Sequence, residues 1–157
     1  MIKIYNTAIP FDGYLALTVW PLLFIRSDVK KKFDEIDENH ENIHGRQQLE
    51  FLAACAVLMA VIIPLSGISW WWMCACPGVY FMWYGLEYCI RYVAYPSQND
   101  AYYNISFEQE AYQNEKDLGY LKKRRPFAWA KYLFRKTYDG KAERMKRINE
   151  ILNQDNF

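Results

Sequence analysis

The sequence predicts a mainly α chain with a small β element, an α+β fold in one domain, on three observations. Residues 51–86 contain no Asp, Glu, Lys or Arg, and a run that long and apolar needs helices. A short stretch before it, Tyr14 to Arg26, is rich in β-branched and aromatic residues. The whole has 157 residues, enough for one domain of ordinary size.

In chain order, residues 1–36 form a strand region. Tyr14 to Arg26 is split by Trp20-Pro21 and reads as two short strands or one bent strand, a third membrane segment being the alternative. Residues 37–50 form a helix, with Asp37 or Asn39 able to cap it and an acidic cluster suited to the positive end of its dipole. Residues 51–95 form a hydrophobic hairpin that turns at Pro64, Ser66 and Gly67. Trp70, Trp71 and Trp72 near the turn, and Tyr84, Tyr88, Tyr92 and Tyr95 at the far end, suit the two aromatic belts of a bilayer. Each arm is somewhat shorter than the roughly 20 apolar residues of a full span, so the hairpin tilts, thins the bilayer or enters partway. A buried hairpin of a soluble protein is the rival. Residues 104–125 form the next helix, opened by a Ser106/Gln109 capping box, and 126–157 a basic amphipathic tail that lies on an anionic leaflet or packs on the body.

The net charge of +1 excludes a nucleic-acid partner on electrostatic grounds. Lysines and arginines flank the hairpin while its turn has none, so the positive-inside rule places both termini in the cytoplasm. The opening residues lack the pattern of a cleaved signal peptide. Cys55, Cys74, Cys76 and Cys89 have no metal-ligand spacing and read as small apolar residues.

Both histidines of the chain fall in one pentapeptide, His40-Glu41-Asn42-Ile43-His44. On a helix, positions four apart share a face, so the two imidazoles converge on one zinc ion (Zn2+) while Glu41, one step round, reaches a water in the open coordination position. Catalytic zinc takes three protein ligands, and with no third histidine the last must be a carboxylate. Glu87, Glu108, Glu110, Glu115 and Asp117 are the candidates. Glu87 is accounted for as an i, i+4 partner of Arg91, whereas Glu108 and Glu110 lie on the helix that returns to the side of the metal. Gln47 shares the histidine face and can orient a ligand; Tyr103 or Tyr112 can donate to a tetrahedral oxyanion.

The order of His40 to His44, a hydrophobic hairpin and Phe107-Glu108-Gln109-Glu110-Ala111 resembles the integral-membrane gluzincin metallopeptidases, namely the CAAX-processing endopeptidases and the bacterial membrane heat-shock metalloprotease. More narrowly it is similar to small bacterial membrane proteins with H-E-x-x-H-x-x-Q and F-E-x-E-A-Y, matched by His40, Glu41, His44 and Gln47 and by Phe107 to Tyr112. The resemblance covers about Asp37 to Glu115. It implies a minimal gluzincin core and a zinc metalloendopeptidase of the bacterial inner membrane, with its site on the cytoplasmic side. Aligned on Ala111, Glu108 is the third ligand and Glu110 the alternative; Tyr112 stands where the family has a supporting Asp. The implied reaction is hydrolysis of a peptide or protein substrate by a zinc-bound water, with Glu41 as general base and acid, and a strand around Leu15 to Ile25 holding the extended substrate by edge pairing. The alternative is a zinc-binding interaction or assembly protein, anchored in the membrane and without protease activity.

Overall fold

A computed structural model describes residues 1–10, 14–95, 97–135 and 140–153. It is mainly α with one small sheet. Strands β1 (Ile2–Asn6), β2 (Ala16–Val19) and β3 (Leu22–Arg26) are arranged β1-β3-β2, with β1 parallel and β2 antiparallel to β3. The 14–26 stretch is therefore two strands meeting at Trp20-Pro21, with Val19 opposite Leu22, and not a membrane segment. Leu15, Leu23, Ile25 and Val29 close a core under the sheet together with Ile151 from the C-terminal helix.

Helix α1 (Glu35–Ser66) is continuous from the histidine motif into the apolar run. It starts earlier than the 37–50 reading, because Asp34 is the cap: its carboxylate accepts from the Ile36 and Asp37 amides, and Asp37 accepts from the Asp34 amide. Gly67 ends α1 at φ 69°, a left-handed conformation that glycine adopts without strain. A 3₁₀ turn at Trp70–Ala75 leads into α2 (Cys76–Ala94), which returns along α1. Two of the expected hairpin arms thus exist, but only α1 is long and apolar enough to cross a membrane among the described residues. Just 11% of its most apolar window is buried inside the molecule. Val57, Leu58, Val61, Leu65, Trp71, Met82 and Val93 are all exposed.

Helices α3 (Gln98–Tyr103), α4 (Ser106–Asn114) and α5 (Tyr120–Lys123) follow, so the single helix expected over 104–125 is broken at 115–119. Ser106 is not the cap of α4. It is the first helical residue, and the exposed amide end is served from α2 instead: Glu87 accepts from the Ser106 amide at 2.8 Å and its hydroxyl at 2.6 Å while pairing with Arg91 at 3.1 Å. This carboxylate at a helix N-terminus fixes the turn that carries Glu108. A 3₁₀ turn at Ala128–Tyr132 and α6 (Lys141–Asn153) complete the chain. The tail packs on the body, and by its arginines: Arg144 reaches Asp37, and Arg147 reaches Asp34 and Asp37 at the start of α1. Residues 136–139 and 154–157 of the tail lie outside the described residues.

Candidate metal centre

The site is where α1 and α4 meet under α2. On α1 the positions of His40, His44 and Gln47 form one stripe, since a step of four or three residues returns to nearly the same face. Glu41 and Gln48 form the adjacent stripe, which faces β2. Gln48 bridges to that strand much as a neighbouring strand would, donating to the Thr18 carbonyl at 2.8 Å and accepting from the Trp20 amide at 2.8 Å. The Thr18 hydroxyl donates to Glu41 Oε2 at 2.7 Å. The outer edge of β2 is thus partly occupied at Thr18 and Trp20, which shortens the edge that substrate pairing would use.

His40 and His44 are buried with their Nε2 atoms 3.0 Å apart. Glu108, also buried, places Oε1 3.3 Å from His44 Nε2 and Oε2 3.5 Å from His40 Nε2. In a tetrahedral zinc site with bonds of 2.0–2.2 Å the ligand atoms lie about 3.4 Å from one another, and the separation between the imidazole nitrogens and those to the two Glu108 oxygens are close to that. The structure brings together Glu108 rather than Glu110, and His40, His44 and Glu108 could hold a metal ion.

Each imidazole is held from behind. His40 Nδ1 lies 2.9 Å from Glu115 Oε2 and His44 Nδ1 lies 2.9 Å from Gln47 Oε1. A carboxylate and an amide oxygen only accept, so Nδ1 carries the hydrogen in both rings and each Nε2 turns a lone pair inward. Two lone pairs and a carboxylate facing one another across some 3 Å repel unless a cation lies between them. Glu108 Oε2 has no hydrogen-bond partner, while Oε1 accepts from the Tyr84 hydroxyl at 2.8 Å. This orphaned, buried, anionic oxygen beside two inward nitrogens is the observation that fits a divalent metal.

Without an ion, the same pocket draws protons onto the imidazoles instead. Burial opposes charge on either ring, yet Glu108 and Glu115 hold His40 above its ordinary value, and Glu108 does the same for His44 against the repulsion of His40. Burial also opposes charge on Glu108, but the two imidazoles keep it well below the usual carboxylate range. The pocket favours positive charge facing a permanent anion.

Glu110, the alternative ligand, is buried in a different network: it accepts from Arg124 Nε at 2.6 Å, the Tyr120 hydroxyl at 2.8 Å and Gln47 Nε2 at 2.9 Å. Tyr112 packs its ring on His40, with centroids 4.5 Å apart, and Tyr103 packs on Tyr112 at 5.0 Å. The carboxylate behind His40 is Glu115, at the C-terminal end of α4 and two turns beyond Glu108. Residue spacing placed Glu115 only among possible ligands, gave Tyr84 to an aromatic belt rather than to Glu108, and did not single out Thr18. The polar Thr18 on the inward face of an otherwise apolar strand was the one available signal.

No protein-family model, curated protein or solved structure matches this chain. Its chemistry is therefore argued from the site.

Proposed function

We propose that the chain is a membrane-anchored zinc metallopeptidase of the gluzincin type, in which His40, His44 and Glu108 hold the metal and Glu41 transfers the proton. What carries the reading is the convergence of two imidazole nitrogens and one unpartnered buried carboxylate oxygen at ligand spacing, with Glu41 on the next stripe of the same helix. Bound zinc supplies a Lewis acid that polarises a substrate carbonyl and acidifies water. Glu41, steadied by Thr18, takes the proton from the attacking water and delivers it to the departing amine, so that no covalent enzyme intermediate is needed. Both histidines are kept in place by Glu115 and Gln47.

The membrane reading rests on the exposed apolar surface of α1 from Phe51 onward and of α2, which water would not tolerate over so large a contiguous area. Helix rise puts His44 roughly 10 Å from Phe51, so substrate meets the metal just outside the bilayer. The basic residues beside the hairpin orient this end toward the bacterial cytoplasm.

A non-proteolytic zinc-binding assembly protein is the second reading, and one observation favours it. The three ligands are buried, and the cavity of about 290 Å³ lined by Met1, Trp20, Asn42, Gly45, Arg46, Leu49 and Leu121 lies on the opposite face of α1. Purified protein in detergent, incubated with a mixed peptide library and followed by mass spectrometry, separates the two. The peptidase reading expects cleavage that Glu41→Gln abolishes while zinc content persists; cleavage that survives Glu41→Gln sinks the mechanism, and stoichiometric zinc without cleavage selects the second reading.

A further inference from the structure

The two imidazoles are oriented by different means. His40 faces a carboxylate, which has no donor to offer in any orientation. His44 faces a primary amide, which can present either its oxygen or its NH2, so something else must choose. Gln47 is completely buried and makes four contacts. Its Oε1 lies 2.9 Å from His44 Nδ1 and accepts from the Tyr80 hydroxyl at 3.3 Å; its Nε2 donates to the Phe107 carbonyl at 3.2 Å and to Glu110 Oε2 at 2.9 Å. Turning the amide over would set its oxygen against a carbonyl and a carboxylate, both acceptors only, and its NH2 against His44 Nδ1. His44 would then carry its hydrogen on Nε2 and lose the lone pair that faces His40 and Glu108.

We propose that Glu110, clamped by Arg124 and Tyr120, is a positioning residue that fixes the Gln47 amide with its oxygen toward His44 and thereby keeps His44 Nε2 free to bind metal. Glu110 is suited to this because its carboxylate is met by donors: Tyr120 Oη, Arg124 Nε, Arg124 Nη2 at 3.1 Å, and Gln47 Nε2. Arg124 also holds Glu50 on α1, which ties the clamp to the helix that bears the histidines. A glutamine at 110 keeps the shape and, with its oxygen in the Oε1 position, the bonds from Tyr120 and Arg124 Nε, but gains an NH2 that can face Gln47, so the amide is no longer obliged to point one way. The proposal extends the metal reading of the same site.

The test uses the full chain in detergent micelles with three variants. Glu110→Gln is the isosteric probe, Gln47→Leu removes the amide, and Glu50→Gln alters the other carboxylate on Arg124 without touching Gln47. Zinc affinity is measured by competition with a chromophoric chelator. The imidazole N–H resonances of the zinc-loaded protein are followed by 15N NMR, which is simple here because the chain has only two histidines. The expected result is a loss of zinc affinity of about tenfold for Glu110→Gln and up to about 100-fold for Gln47→Leu, the range for residues that orient a metal ligand, with Glu50→Gln within about twofold. The His44 N–H resonance shifts and exchanges faster in Glu110→Gln while that of His40 stays. Unchanged affinity and an unchanged resonance in Glu110→Gln overturn the proposal, as does an equal loss in Glu50→Gln, which would make the network merely structural. Failure of the unaltered protein to bind zinc overturns the metal reading instead, and the response of the His44 N–H to Glu110→Gln in metal-free protein then decides the amide proposal alone.

Discussion

Zinc should be a large fraction of the stability of this fold, and the effect should vanish with one atom's change at Glu108. The three groups that could hold the ion come from α1 and α4, with Glu108 more than 60 residues beyond His44, and the unfolded chain does not hold them together. An ion that binds only the folded state stabilises it by about 2.7 kcal/mol when free zinc is 100 times Kd. For a chain of this length each kcal/mol moves Tm by about 2–4 °C, so adding zinc to chelator-treated protein should raise Tm by roughly 5–11 °C. Replacing Glu108 with Gln preserves volume and the bond from Tyr84 but removes the anionic oxygen that lies 3.5 Å from His40 Nε2. The zinc-dependent rise should then fall below about 2 °C at the same metal concentration. Intrinsic tryptophan fluorescence during a thermal ramp in detergent reports it, since Trp129 packs against Phe107, the residue next to Glu108. A wild-type Tm indifferent to zinc, or a Glu108→Gln protein that keeps the full rise, refutes the assignment of these ligands.

Other expectations follow from the same geometry. Glu115→Gln keeps shape but lets an NH2 face His40 Nδ1, and zinc affinity measured against a competing chelator should fall about 10–100-fold. Thr18→Val removes the hydroxyl that donates to Glu41 Oε2; peptide cleavage should drop while zinc content and, to within about 1 kcal/mol, chemical denaturation stay unchanged. Arg144→Met removes one of the two arginines on the buried Asp37 and the arginine beside Glu115, leaving Arg147 and His40 as their partners, and should cost about 1.5–3 kcal/mol in unfolding free energy by chemical denaturation. Val61→Arg places a charge mid-way along the exposed apolar part of α1; if that face meets lipid, insertion becomes less favourable by about 3 kcal/mol and the protein leaves the membrane fraction, whereas a face in water would accept the arginine without change.

How far the sequence reached depended on whether the determining contact was local. His40 and His44 share a helical face by spacing alone, and the helix that carries them is marked by its acidic start, so the pair and its convergence were legible. Even there the cap, expected at Asp37 or Asn39, lies three or five residues earlier at Asp34, because Asp34 and Asp37 form the box with an aspartate where a glutamate is the usual signal. The 14–26 stretch was legible as strand, split or bent at Trp20-Pro21, but neither its pairing as β2 with β3 nor the parallel addition of β1, which depends on a register 20 residues away, could be read from it. The choice between Glu108 and Glu110 was beyond residue spacing, since both lie within one turn of α4; it is decided by Arg124. That arginine can reach Glu110 only because the chain breaks at 115–119 and α5 folds back, and nothing in the local propensities around Lys116 to Gly119 says in which direction. Once Arg124, Tyr120 and Gln47 have taken Glu110 as an acceptor, its charge is matched and it has no oxygen to spare for a metal. Glu108, with no arginine or lysine paired to it among the described residues and two imidazole nitrogens turned toward it, is the carboxylate that could take part in holding a metal ion. The partition of two neighbouring glutamates between a clamp and a ligand is thus set by which of them the protein's own arginine neutralises.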